Sequence, residues 1–529
     1  MISLTDLNSE PGEKSAFAEK HRMDSNKLSL ALIIGLAGFK LALHLTSNLF
    51  FAFGYFRDEF YYMACGEHLA FGYVDHPPLI ALISASSRAI FGDSLVAIRF
   101  LPALAGAGTV VLTILTVREL GGRLFAQALA GLAVIGAPVY LVTSNMLSTV
   151  PFDHFFWALT LYLVVVLLKS GNARLWLAIG GVVGIGLLTK NNMTFLAIGL
   201  AGSLLLTSNR KYLKSPWLWA GVLLAGLLVS PYLLWEFQNG FPTLEFTRNA
   251  SSQKNAEVNP LAFFLQQVLA VNPISAPLWL AGLGYLLTSR VYRLLGLTYL
   301  LTFGVFAATQ AARPDYLTPI YPILLAAGAT WLEQLTLQRR WGRVLSLGLM
   351  VVGLMVVLPT GLPLLSPATT ASITQAMGLS SISLEKGNTA TLPQYFADMF
   401  GWPELTVTIA TVYNQLTPEE RARTTIITGN YGEAGALNLL GKAYKLPIAS
   451  SGHNNYWLWG AANPAADIVI VVGYPGGVAE MRQYFTSFEQ VNMVKCKFCI
   501  DYQNDRPVFV GKGLNTSLAE LWPKIKRFI

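Results

Sequence analysis

Long apolar runs separated by short polar breaks fill the first two thirds of the chain. They cover residues 28–53, 95–117, 124–142, 151–168, 175–188, 193–206, 217–235, 274–287, 294–311, 316–332 and 344–362. Each reads as a membrane helix, about eleven in all, although several fall short of the ~20 residues of a full span. Between the first two runs lies a long loop, residues 54–93. It predicts two helical pieces, 59–69 and 79–91, separated by Phe71-Gly72-Tyr73 and Pro77-Pro78. These pieces are expected to lie along the membrane interface. After residue 362 the pattern changes. Residues 366–387 are rich in Ser and Thr and read as a linker. Beyond them, short Ile/Val runs at 424–428 and 467–472 predict buried strands, with helices over 433–444 and 478–485. The expected architecture is a polytopic α-helical membrane protein with a C-terminal extracytoplasmic α/β domain. Its parts are a cytoplasmic segment 1–27, a membrane domain 28–365, the linker 366–387 and the α/β domain 388–529.

Composition agrees. The chain is 53% hydrophobic and 12% charged, against about 25% charged for soluble domains. The net charge of +8 is a positive-inside bias and not a nucleic-acid footprint. Lys14, Lys20, Arg22 and Lys27 precede the first run. Arg118/Arg123, Lys169/Arg174, Arg210/Lys211/Lys214, Arg290/Arg293 and Arg339/Arg340/Arg343 fall in alternate loops. The N-terminus is therefore expected in the cytoplasm. The 54–93 loop and, with an odd number of spans, the C-terminal domain are expected on the periplasmic or extracytoplasmic side of the inner (plasma) membrane. Residues 1–27 are too polar and long for a signal-peptide n-region. Cys65 stands alone, and Cys496-x-x-Cys499 lacks a second ligand pair for zinc.

The candidate chemistry gathers in the outer loops. Asp58 and Glu59 are adjacent carboxylates inside an aromatic cluster of Tyr55, Phe56, Phe60, Tyr61 and Tyr62. A carboxylate beside low-dielectric material is costly unless its charge is used. Asp58 reads as a general base or, alternatively, as part of a solvated interfacial loop. His76 precedes Pro77-Pro78 and faces either a phosphate or the acidic pair, or is an ordinary loop histidine. Asp153, after Pro151, is either a helix-start residue or a second acid facing the same cavity, with His154 beside it. Asp58, Asp153 and His154 are the groups able to hold a divalent cation, though their spacing specifies no geometry. Lys190, followed by Asn191-Asn192, either snorkels to the interface or binds an anion. Arg313 offers a forked set of donors to phosphate. Lys40 and His44 share a helical face within the first run and read better as a packing contact than as a ligand site. The polar stretch near residues 249–255 reads as a lid or loop. Gly429–Glu433 and Ser450–Gly460 either contact carbohydrate or dock the domain on the membrane bundle, docking being the better reading.

In this order, Arg57-Asp58-Glu59, Asp75-His76-Pro77-Pro78-Leu79, Arg99-Phe100-Leu101-Pro102, Asp153, Leu188-Thr189-Lys190 and Arg313-Pro314-Asp315-Tyr316 make the membrane half resemble the GT-C class of membrane glycosyltransferases. The likeness is to the bacterial family 39 type, related to protein O-mannosyltransferases and lipid A aminoarabinose transferase. The resemblance implies transfer of one sugar, with inversion, from a polyprenyl-phosphate donor to a hydroxyl of a glycan, lipid or protein acceptor. Asp58 would act as base, with Glu59 supporting it and Asp153 holding the acceptor or modulating the base. His76, Lys190, Arg313 and Tyr316 would meet the donor phosphate. Tyr61, Tyr62, His154 and Asn192 would contact substrate. His76 stands where the aminoarabinose enzymes carry lysine, a weaker partner for phosphate when neutral. The competing reading is a transporter or flippase of lipid-linked sugars. It would place ionisable groups at mid-membrane, whereas here they cluster in the loops. A non-catalytic scaffold would leave them scattered.

Overall fold

The computed structural model describes residues 11–255, 257–309, 313–379, 385, 390–473 and 478–529. Outside these lie residues 1–10 of the N-terminal segment, 310–311 of the ninth apolar run, and 380–384 and 386–387 of the linker. Every apolar run forms helix. The first becomes α1, Pro11–Phe50. The loop that follows carries α2, Arg57–Glu67, and α3, Leu79–Phe91, before α4, Leu95–Glu119. Five helical segments are long and apolar enough to cross a membrane: Asn26–Phe50, Leu95–Glu119, Val150–Ser170, Pro216–Gln238 and Arg340–Gly361. The pair Pro260–Ala270 and Pro273–Thr288, bent by 99°, adds a sixth if it is one broken span. The remaining apolar helices are shorter, and they complete a multi-pass bundle by packing. Pro138 explains one shortening: the third run splits into Leu124–Ile135 and Pro138–Thr143, because proline cannot donate to the preceding turn.

Helices Ala276–Thr288 and Tyr321–Leu335 meet through glycine. A Cβ on Gly282 would collide with the Leu324 carbonyl, and one on Gly328 with that of Leu278. Small residues let membrane helices approach this closely, and the contact fixes the turn at Arg313–Tyr316 that opens the second of them.

The C-terminal part holds a five-stranded sheet: β1 Thr424–Thr428, β2 Ala449–Ser451, β3 Ile468–Val472, β4 Phe485–Val494 and β5 Arg506–Leu514. The order is β2-β1-β3-β5-β4, with β1 parallel to β2 and β3, and β5 antiparallel to β3 and β4. β1 and β3 are wholly buried, which is why their sequences read as strands. β4 lies at the sheet edge with a mostly exposed, polar pattern, and it replaces the end of the helix expected over 478–485. The linker differs from expectation too. Ser366 caps a helix, Pro367–Ala376, by accepting the Thr369 N–H at 3.2 Å; Ser followed by Pro is a helix-start signal.

This α/β part sits on the loop after α1. Phe60, Tyr61 and Met63 of α2 share one apolar core with Trp402, Tyr431, Leu437 and Ile426. Helix Tyr431–Leu440 approaches α2 so closely that a Cβ on Gly435 would lie 2.7 Å from that of Phe60. Asn455 accepts hydrogen bonds from Tyr61 and from the Val74 N–H at 3.0 and 2.7 Å, and Trp459 stacks on His68 at 4.4 Å. The Ser450–Gly460 segment is thus a docking surface.

Candidate active site

The start of α2 is fixed by an ion pair with no solvent contact. Glu59 and Arg99 are both fully buried. The guanidinium donates to both Glu59 oxygens at 2.7 Å. The same carboxylate accepts the N–H groups of Phe56 and Leu147 at 2.8 and 2.7 Å. Arg99 completes its fork on Asn48 and the Gly54 carbonyl. Every strong site on Glu59 is occupied. It therefore does not reach substrate; it locks the end of α1, the start of α2 and α4 together. Its neighbour Asp58 faces the other way. Asp58 keeps 27% of its side chain exposed. It accepts the Tyr431 hydroxyl at 2.8 Å and the Arg57 Nε–H at 3.2 Å.

Arg57 had no role in the sequence reading. Besides Asp58 it reaches Tyr502 Oη at 2.8 Å, Glu385 at 3.3 Å and Asp398 at 3.9 Å. Burial raises the Asp398 carboxyl to about 6, against the opposing pull of Arg57. A cation surrounded by acids was legible only as the first member of Arg57-Asp58-Glu59, because its partners lie more than 300 positions away.

A second cluster forms from the other candidates. Lys190, just past helix Leu175–Thr189, donates to Asp315 at 3.1 Å, and Arg313 Nε lies 3.2 Å from the same carboxylate. Burial would raise Asp315, but Lys190 and then Arg313 hold it down at about 2. Asp315 thus keeps two cations side by side and was missed, although an acid between Arg313 and Tyr316 was the available signal. Among the described residues Arg313 Nε pairs with the Asp315 carboxylate by charge without a well-aligned hydrogen bond. The Lys190 ammonium sits 5.0 Å from the Tyr316 ring centroid. Asn192 bridges Asp153 and the Tyr316 carbonyl, both at 2.8 Å, which leaves Asp153 Oδ1 buried without a partner. Asp315 and then Tyr316, Glu385 and Asp58 make the surroundings of Arg313 negative, against the effect of burial.

Four expectations are corrected. His76 does not face a phosphate. It is buried, stacked on Tyr73 at 4.7 Å and edge-on to Tyr61 and Tyr62. Nδ1–H donates to the Pro77 carbonyl at 2.9 Å, and Nε2 meets Cys65 Sγ at 3.6 Å. Burial lowers its pKa, so it is a neutral ring packed by the proline turn. Tyr61 does not reach substrate: its hydroxyl donates to Asp75 at 2.6 Å and its ring stacks on Tyr431 at 4.5 Å. Tyr62 is also largely buried, and burial and then the Asp58 charge push its phenol upward. His154 is closed off, bonded to Thr318 at 2.9 Å and edge-on to Tyr140. The Asp58–Asp153–His154 set does not assemble: among the described residues no three His, Cys, Asp or Glu side chains come together to hold a metal. Lys40 and His44 make interhelical contacts, to the Tyr140 carbonyl at 2.8 Å and to Asn145 at 3.3 Å.

Below the cation cluster runs an apolar cavity of 320 Å³, lined by Leu69, Phe71, Pro78, Leu82, Leu188 and Leu228 among others. Leu188 is two residues from Lys190. Tyr232, also in the lining, accepts from Asn191 at 3.1 Å.

The chain is similar in sequence and in fold to known proteins. Residues 75–235 match the family model of dolichyl-phosphate-mannose-protein mannosyltransferase. That segment includes His76, Arg99, Asp153, Lys190 and Asn192 and stops short of Asp58 and Arg313. The chain is 29% identical over 237 residues to the lipid A galacturonosyltransferase RgtD of Rhizobium johnstonii, covering 44% of this chain and 50% of that protein. The match thus spans about half the length of the curated relative. In fold, the chain resembles ArnT from Cupriavidus metallidurans in the apo state, with TM-score 0.59 and 14% identity over 91% of this chain and 98% of that one. It also resembles the same protein bound to undecaprenyl phosphate, with TM-score 0.55 and 16% identity over 91% and 97%. In its matched segment and in its fold the chain is thus similar to membrane glycosyltransferases.

Proposed function

We propose that the protein is a membrane glycosyltransferase that moves one sugar from a polyprenyl-phosphate donor to an acceptor hydroxyl, with inversion. The active site and the α/β part lie on the extracytoplasmic side of the inner membrane, the side opposite the Lys/Arg-rich loops. The observation that carries this reading is the cation pair, Lys190 and Arg313, that Asp315 holds together; beside it stand the partly exposed carboxylate of Asp58 and an apolar groove lined by Leu188, two residues before Lys190. The groove suits an isoprenoid tail. Lys190 and Arg313 suit its phosphate, since each gives charge-assisted hydrogen bonds. Asp58 suits the incoming hydroxyl.

In the reaction the acceptor O–H gives its proton to Asp58, and its oxygen forms the new bond to the anomeric carbon. The bond from that carbon to the phosphate oxygen breaks, and the electron pair leaves with the polyprenyl phosphate. Charge grows on the leaving oxygen, so cations fixed beforehand by Asp315 lower the barrier without reorganising. Tyr431 and Arg57 hold Asp58 in place, and Glu59 holds the helix that presents it. Support for a lipid-linked donor comes from the groove and from the undecaprenyl phosphate bound by ArnT. Support for a glycan or lipid acceptor comes from RgtD, a lipid A galacturonosyltransferase.

Purified full-length protein in proteoliposomes, given a radiolabelled polyprenyl-phosphate sugar and envelope lipids, provides the test. Free polyprenyl phosphate should accumulate in step with labelled acceptor. Donor that crosses the bilayer with its sugar still attached, and no acceptor labelling, would mean a flippase instead.

A further inference from the structure

A second cavity, of 260 Å³, shares no lining residue with the apolar groove. It begins at Arg57 and Tyr431, the two groups that hold Asp58, and continues into the α/β part. Four cations line it: Arg57, Lys254, Arg506 and Arg527. They come from distant places in the chain, namely the start of α2, the turn after helix Pro242–Asn249, the start of β5 and the C-terminal segment. Their charge is incompletely matched. Glu385 serves both Arg57 and Lys254, at 3.3 and 3.5 Å, and Glu433 lies 3.5 Å from Arg506. Arg57 has further acids in Asp58 and Asp398. Among the described residues no carboxylate forms an ion pair with Arg527. Among the described residues Arg506 Nε is buried with no hydrogen-bond partner. Burial pushes the Arg527 guanidinium below its ordinary value; Glu433 pulls against this and Arg506 adds to it.

The backbone around the cavity favours the same kind of ligand. The cavity opens where β1, β2 and β3 end, at Asn430, His453 and Gly473. Open α/β sheets bind ligands at the carboxyl ends of their parallel strands. Helix Tyr431–Leu440 starts there, its first turn capped by Asn430 and by the Glu433 carboxylate. Arg527 is held in position by its backbone, which donates to the Gly452 carbonyl at 2.8 Å and accepts from the Asn454 N–H at 3.0 Å. The volume is just under the ~300–1,000 Å³ usual for small-molecule sites.

We propose that this cavity binds a phosphate or carboxylate group carried by the acceptor sugar whose hydroxyl meets Asp58. The assignment rests on the transfer reaction above. In an inverting displacement the base and the leaving group lie on opposite sides of the anomeric carbon. Lys190 and Arg313 mark the leaving side, and the Arg57–Tyr431 side holds the base, so whatever fills this cavity belongs to the acceptor. A neutral sugar would leave Arg527 without an ion-pair partner. An anion takes the forked donors of the Arg506 and Arg527 guanidinium groups.

The test measures binding to purified full-length protein by calorimetry, with N-acetylglucosamine 1-phosphate, galacturonate, N-acetylglucosamine and inorganic phosphate as probes. The two anionic sugars should bind at least about tenfold tighter than the neutral one, and the sugar phosphate tighter than inorganic phosphate. Arg527→Gln should weaken the anionic sugars about tenfold. Lys254→Gln, on a separate segment, should do the same, which guards against a folding defect in either variant. Lys190→Gln should change nothing. Equal binding of neutral and anionic sugars would overturn the proposal. So would indifference to both cavity substitutions, or an equal loss in Lys190→Gln, which would put the probe on the donor side. Inorganic phosphate binding as tightly as the sugar phosphate would also contradict a sugar-borne anion. Full turnover by Asp58→Asn would instead defeat the base assignment and leave the probe results standing.

Discussion

Adjacent carboxylates on one turn of α2 have opposite fates, and the reason lies in their partners. Glu59 meets a buried guanidinium and two backbone N–H groups; Asp58 meets a phenol and a shared guanidinium and stays partly open. Removing one partner from a buried ion pair leaves the other charge stranded, at about 3–5 kcal/mol. Glu59→Gln should therefore lower the thermal midpoint sharply and reduce the amount of folded protein. Asp58→Asn should leave the midpoint within a degree or two of wild type. Light-scattering melts in detergent would read both; equal midpoints would contradict the division of labour. The pair itself was legible in the sequence, as two acids where acids are costly. Their separate roles were not, because Arg99 lies 40 residues from Glu59 and Tyr431 lies 373 from Asp58.

At the scale of elements, apolar runs marked most helices of the bundle, since burial in lipid or protein imposes the same pattern, but not Pro260–Ala270, which falls between the runs 217–235 and 274–287. It did not mark which helices are full spans, because a short helix in a bundle borrows its apolar surroundings from neighbours. Loop residues were harder. Lys190, Asn192, Asp153, Arg313 and Tyr316 are linked by hydrogen bonds, ion pairs and a ring contact. His76 was misplaced because nothing local shows that Tyr73 and Cys65 close around it. β4 escaped notice because an edge strand keeps polar residues on its exposed face, and the Ser366 cap was hidden in a Ser/Thr-rich composition. Arg313 and Asp315 depend on the helix that follows them, and that helix depends on its glycine contact. Gly282→Leu should force Ala276–Thr288 and Tyr321–Leu335 apart. Transfer activity should fall at least tenfold while the variant still inserts into the membrane. Activity and thermal midpoint unchanged by this substitution would show that the close approach is not needed.

Across the whole molecule, the α/β part and the membrane bundle meet at α2, and the site lies at that junction. One apolar core runs from Phe60 and Tyr61 through Tyr431 to Ile426, so the residue that steadies Asp58 belongs to the same packed unit as the base. In the proposed reaction the membrane side supplies a groove and a cation pair for a lipid-linked phosphate, and the α/β side supplies the phenol and the cation-lined cavity. Asp58, at the seam, is the residue on which that proposal turns. The most direct measurement compares single-turnover sugar transfer by Asp58→Asn and wild type at saturating donor, with donor binding followed in the same samples. The account predicts a loss of about 10²–10⁴-fold in the transfer rate with donor affinity unchanged; a transfer rate equal to wild type would contradict it.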